Sequence, residues 1–123
     1  MRSYEEAEQA AIFEWAEYEK RKYPELELLH HVPNGGKRDA KTASILKRCG
    51  VKAGVPDLVL PVARCGYHGL YIELKVGKNR TSKNQDRWLE NLNAQGYKAV
   101  VCYGFNETTN MILRYLEGEI EHE

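Results

Sequence analysis

Two carboxylates and one ammonium stand in a stretch of this 123-residue chain that is otherwise apolar. Asp57 opens the run Asp-Leu-Val-Leu-Pro (57–61), and Glu73 and Lys75 lie inside Leu-Tyr-Ile-Glu-Leu-Lys (70–75). Strand interiors normally exclude charge, because an isolated ionised group away from water is costly. Residues two apart on a strand project from the same face, so Glu73 and Lys75 point the same way. Carboxylates converging beside an ammonium suggest a site for a hard divalent cation.

Hydrolysis of a phosphodiester needs an attacking water, neutralisation of the charge that builds on the phosphoryl oxygens, and help for the departing alkoxide. Mg²⁺ or Mn²⁺ held by carboxylates can do most of this while keeping positions open for water and phosphate. Asp57 and Glu73 offer two hard oxygen ligands, and the backbone carbonyl of Leu74 can offer a third. Lys75 stands where it could orient the water or steady the pentavalent phosphorus. There are plainer readings. Asp57 could be a turn residue after Pro56, and Glu73 with Lys75 a salt bridge on an exposed edge strand, a type of pair that contributes little stability. The flanking Ile72 and Leu74 favour the functional reading.

The remaining sequence supplies the elements that would position these groups. A helix is expected over 3–22, with Ser3 as N-cap and Glu6 at capping-box spacing, ended by Pro24. Ile12, Trp15 and Ala16 share one face, and Glu5 and Gln9 fall on the same arc. Glu8 falls there too, so periodicity alone does not choose between Glu5 and Glu8. Leu26, Leu28 and Leu29 lead through His30 and His31 into a short strand. A glycine-containing loop with Asn34, Lys37 and Arg38 follows, then a helix over 39–49 with Ala43, Leu46 and Ile45 as its apolar residues. Strands at 57–61 and 69–76 are expected to form a hairpin. After a basic loop, Ser82 caps a helix over 83–94 with Gln85 at the capping-box position and Trp88, Leu89 and Leu92 as its buried stripe. A strand over 97–103 and a last helix capped by Asn106 complete the order α-β-α-β-β-α-β-α, an α/β sheet flanked by helices. Met111, Ile112, Tyr115 and Leu116 are the apolar residues of that last helix.

Bulk composition narrows the class further. With 42% apolar and 29% charged residues the chain reads as one soluble globular domain. The formal net charge is zero, so nucleic-acid binding would have to come from local patches. Asn34, Lys37 and Arg38 on one side of the proposed site, and Lys78, Arg80 and Lys83 on the other, are candidates for phosphate contacts, although basic loops are often simply solvated. Three cysteines without CxxC spacing fit free thiols in a reducing cytosol, which points to a cytoplasmic protein. No membrane span or targeting segment is expected. His30 and His31 are adjacent, so on a strand they face opposite ways and do not chelate one ion together.

These pieces form an ordered pattern that resembles the VRR-NUC family of the PD-(D/E)xK nuclease superfamily, in the small stand-alone form typical of phages. The matching pieces are Glu5-x-x-x-Gln9, Pro33-Asn34-Gly35-Gly36, Gly50-Val51-x-x-Gly54-Val55-Pro56-Asp57, Tyr67-x-Gly69-Leu70-x-Ile72-Glu73-x-Lys75, Ser82-x-x-Gln85 and Gly96-Tyr97. A lone PD…ExK is short and degenerate, and the ordered set carries the resemblance. It implies a single nuclease domain over 1–123 with a restriction-endonuclease-like mixed sheet. It also implies Asp57 and Glu73 as metal ligands, Lys75 as catalytic lysine, and Gln85 as an active-site residue. Through its spacing to Gln9, Glu5 would be the helix carboxylate, a direct or water-mediated metal partner, with Gln9 near the nucleic acid. The expected activity is Mg²⁺- or Mn²⁺-dependent cleavage of branched, junction or flap DNA, by a homodimer in the cytoplasm of a bacterial host. The alternatives are a non-catalytic nucleic-acid-binding module with a relict site and a phage or host interaction adaptor.

Overall fold

The computed structural model describes residues 2–33 and 38–122. In chain order these form α1 (Arg2–Glu19), a 3-10 turn (Pro24–Leu28), β1 (His30–His31), α2 (Ala40–Arg48), β2 (Leu58–Leu60), β3 (Leu70–Lys75), α3 (Lys83–Ala94), β4 (Lys98–Tyr103) and α4 (Gly104–Leu116). The expected order of helices and strands holds. The four strands make one mixed sheet in the order β1-β2-β3-β4, with β1–β2 and β2–β3 antiparallel and β3–β4 parallel. Parallel strands cannot be joined by a tight turn, and here α3 makes the crossover between β3 and β4.

Leucine, isoleucine and tyrosine from both sides of one sheet face build the core. Leu58, Leu60, Leu70, Ile72 and Leu74 pack with Ile12 and Ala16 of α1 and with Ile112, Tyr115 and Leu116 of α4. The buried Tyr115 hydroxyl donates to the Val62 carbonyl at 2.6 Å, so its one polar atom is satisfied. The apolar faces of both terminal helices are therefore occupied within the chain.

Several local expectations need correction. Leu26 to Leu29 do not start a strand. Pro24 begins a 3-10 turn whose one buried residue is Leu26, and only His30 and His31 join the sheet. Ser3 lies within α1, whose helical residues start at Arg2 and end at Glu19. The cap of α2 is Asp39, whose carboxylate accepts the Thr42 N–H at 2.7 Å. None of the residues of α2 is buried, Ile45 included, and Leu46 is only half-buried. Trp88, Leu89 and Leu92 on α3 are likewise half-buried. Asn106 does not cap α4. That helix starts earlier, at Gly104, because two glutamates satisfy its first N–H groups: Glu107 accepts from Tyr103 at 2.8 Å and Glu8 from Phe105 at 2.7 Å. Asn34, Gly35, Gly36 and Lys37 lie outside the described residues.

Candidate active site

Strand register brings the carboxylates together. Leu58 stands opposite Ile72 and Leu60 opposite Leu70, so one step further along the pairing Asp57 falls opposite Glu73. Leu70, Ile72 and Leu74 enter the core, which turns Tyr71, Glu73 and Lys75 to the other face. Asp57 Oδ2 accepts the Leu74 N–H at 2.8 Å. Both main-chain groups of a strand residue point to the same side, so the Leu74 carbonyl is turned to the edge where Asp57 sits. The Asp57 carbonyl is itself held by Val32 N–H at 2.8 Å and by His31 Nδ1 at 2.9 Å. A carbonyl only accepts, so His31 carries its proton on Nδ1 in this contact. His30 donates from Nδ1 to Leu28 at 3.0 Å, and the two rings do not act together.

Glu73 and Lys75 are buried, at 3% and 9% exposure, on a strand flanked on both sides. The exposed-edge salt bridge is thereby excluded. Lys75 Nζ lies 3.7 Å from Glu73 Oε2, which also accepts from Gln85 Nε2 at 3.0 Å. Glu73 Oε1 is buried with no hydrogen-bond partner among the described residues. Burial, first, and then the charge of Asp57, with which only the protonated Glu73 can share a hydrogen, push the Glu73 carboxyl up to about 8, against the opposing charge of Lys75; Glu5 adds a further upward contribution.

Gln85 performs two tasks with one side chain. Its Oε1 accepts the Ser82 N–H at 2.8 Å while Ser82 Oγ accepts the Gln85 N–H at 3.2 Å, a complete capping box. Its Nε2 is then directed to Glu73. Gly54 docks the Asp57 loop on the same helix end. It has φ +93°, and a Cβ there would come within 2.6 Å of the Asn84 carbonyl carbon, so only glycine permits this approach.

The two glutamates left open by periodicity separate in space. Glu8 is engaged as the cap of α4, whereas Glu5, half-buried one turn nearer the N-terminus, acts electrostatically on Glu73. Among the described residues no three His, Cys, Asp or Glu side chains gather closely enough to hold an ion, so Glu5 does not close on Asp57 and Glu73 as a direct third ligand. Gln9 is half-buried on α1.

Of the basic candidates, Arg38, Lys78, Arg80 and Lys83 are exposed, and Asn34 and Lys37 lie outside the described residues. Arg38 lines an open groove of about 750 Å³ between α2 and α3, together with Lys47, Lys52, Arg87 and Trp88. Lys47, Lys52 and Arg87 were not among the expected phosphate contacts, because a whole-chain charge of zero does not point to them. The signal was in its distribution. Residues 37–87 hold twelve of the eighteen Lys and Arg but only four of the eighteen Asp and Glu, so the middle of the chain is basic and its ends are acidic.

A divalent cation fits this donor set. The Glu73 oxygen without a partner and the mutual repulsion of two adjacent carboxylates are what a bound cation would relieve.

Comparison with known proteins shows the family. The model of the VRR-NUC domain matches residues 3–106. A solved structure titled "VRR_NUC domain protein" is similar at 32% identity and TM-score 0.81, covering 98% of this chain and 97% of that one. No curated protein matches the chain. Among the described residues no helix is long and apolar enough to cross a membrane. With the family pattern spanning most of the residues and the fold matching over nearly the full length, the chain belongs to the VRR-NUC family of PD-(D/E)xK-type nucleases.

Proposed function

We propose that this protein is a metal-dependent DNA endonuclease that hydrolyses phosphodiester bonds and selects branched, junction or flap DNA by structure rather than by sequence. The observation that carries the reading is the buried Glu73 carboxyl, one oxygen without a partner and its proton held up to about 8, beside Asp57, Lys75 and Gln85. A structural carboxylate in a core is normally satisfied. This one is arranged to receive a cation.

Asp57, Glu73 and the Leu74 carbonyl would hold Mg²⁺ or Mn²⁺, with Glu5 acting through water. The ion would supply neutralisation of the phosphoryl oxygens and a more acidic bound water. The chain's own groups do the positioning. Leu74 N–H fixes one Asp57 oxygen, and Gln85 fixes Glu73 Oε2, which leaves Oε1 as the ligating atom. Lys75 stands beside Glu73 and can donate to the attacking water or to a phosphoryl oxygen as charge develops there. Arg38, Lys47, Lys52 and Arg87 offer their groove to the DNA backbone, with Lys78, Arg80 and Lys83 at the opposite rim. One site cuts one strand. A homodimer would present two sites to a duplex or junction, in the bacterial host cytoplasm if the protein is phage-encoded.

Cleavage of plasmid and branched DNA in Mg²⁺, Mn²⁺ and EDTA tests this, comparing wild type with Asp57→Ala and Lys75→Ala. Losses of roughly 100-fold or more are expected for each variant. Cleavage that persists in EDTA, or survives either substitution, would overturn the mechanism. Binding of junction DNA with no cleavage in either ion would favour a non-catalytic module.

A further inference from the structure

Beside the acidic site lies a second pocket with a different chemistry. It has a volume of about 480 Å³, within the range of small-molecule sites, and its walls include Tyr4, Glu8, Val76, Lys78, Asn79 and Tyr103. Both tyrosines are exposed, at 68% and 40%. Tyr103 is not free to swing, because its hydroxyl donates to the Asn79 carbonyl at 2.7 Å.

Three residues that line the pocket are direct neighbours of residues in the candidate active site. Lys75 and Tyr103 are register partners on the parallel strands β3 and β4, so their side chains leave the sheet on the same face with backbones about 4.8 Å apart. Val76 directly follows Lys75, and Tyr4 directly precedes Glu5. A strand of DNA with its phosphate at Lys75 can reach this pocket with its neighbouring nucleotide.

Charge decides which part of that nucleotide enters. Glu8 stands in the wall with Oε1 bonded to Phe105 N–H, so an anionic phosphate is repelled from the interior. Lys78 in the same wall attracts phosphate towards the rim. A flat, uncharged group that donates hydrogen bonds and stacks on tyrosine meets both conditions, and a nucleobase is such a group. Paired bases are not available to it, because they are already stacked within the duplex.

We propose that this pocket receives an unpaired nucleobase adjacent to the scissile phosphate, stacked on Tyr103 and Tyr4. It rests on the nuclease reading for the position of that phosphate, and it gives structure selectivity a physical origin: only flapped, gapped or branched DNA presents such a base without the cost of breaking a pair.

The test uses the full chain in EDTA and a flap duplex carrying 2-aminopurine at the unpaired position next to the junction, with a fully paired duplex as reference. Fluorescence quenching on binding is expected for wild type and for Tyr103→Phe, which keeps the ring. Tyr103→Leu and Tyr4→Leu should lose the quenching, and the preference for flap over paired duplex should fall by about 5- to 150-fold, the loss of one stacking contact. Both residues are exposed, so unchanged thermal melting verifies that the variants are folded. Equal quenching and an unchanged flap preference in the two leucine variants would overturn the pocket. Metal-dependent cleavage by wild type is measured separately. Quenching that depends on the tyrosines without any cleavage would uphold the pocket and overturn the nuclease reading.

Discussion

Replacing Glu73 by glutamine should make the metal-free protein more stable while destroying the proposed ion site. In the absence of metal Glu73 is a burden on the fold. It is 3% exposed, its Oε1 has no partner among the described residues, and its carboxyl is pushed from 4.5 up to about 8, chiefly by burial. A carboxyl whose pKa is raised by folding favours the native state at low pH, where both states hold the proton. As pH rises from about 4.5 towards 8, the unfolded chain releases that proton first, so stability falls through this window and levels off above it. The full shift is an upper bound, since the surroundings of a buried carboxyl relax when it ionises. A gain of about 1–3 kcal/mol for Glu73→Gln at pH 8 is the expected scale. The amide can keep its oxygen towards Gln85 and turn its NH₂ towards Asp57, so the packing survives. Urea unfolding of both proteins in EDTA at pH 5 and pH 8 measures the effect, and other titrating groups cancel in the difference. The advantage of the variant should be smallest at pH 5 and largest at pH 8. A difference that does not vary with pH, or a variant less stable than wild type at pH 8, would refute the account of Glu73 as a buried group awaiting a cation.

Two further outcomes follow from the same geometry. Divalent-ion affinity should rise by about tenfold per pH unit below about 8, because the ion must displace the Glu73 proton; calorimetry in buffers of different ionisation enthalpy should detect close to one proton released at pH 7, and none would contradict it. Gly54→Ala should destabilise the chain by about 1–3 kcal/mol, since it places a Cβ into the Asn84 backbone at a left-handed φ; a melting temperature equal to wild type would show that this contact is not close in solution.

The candidate site was legible because it violates a local rule. Asp57, Glu73 and Lys75 are charges in apolar runs, and period-two alternation with hairpin register is enough to bring them to one face. Ser82 and Gln85 were legible because a capping box is confined to four residues. What escaped was long-range. The start of α4 depends on Glu8, 97 residues earlier, so no local reading could prefer Gly104 to Asn106. The same contact separates Glu5 from Glu8, which share a helix face and differ only in what stands opposite them. Leu26, Leu28 and Leu29 have a spacing that serves a strand or a tight helical turn, and Pro24, well suited to a helix start, decides for the turn. For α2, an apolar stripe at helical spacing was expected to find a partner, and it meets an open groove instead.

The segregation of charge along the chain has a kinetic consequence. A molecule whose central 51 residues carry an excess of eight positive charges, balanced by acidic ends, is expected to act as a dipole despite its net neutrality. In the field of a polyanion such a particle is turned before it touches, with its basic middle leading and its acidic ends trailing. Productive encounters should then be fast in dilute salt and slow sharply as ionic strength rises, as for a basic protein. The isoelectric point of about 6.9 conceals this behaviour. Neutrality limits indiscriminate adhesion to duplex DNA, while the dipole sets the orientation in which Asp57 and Glu73 arrive.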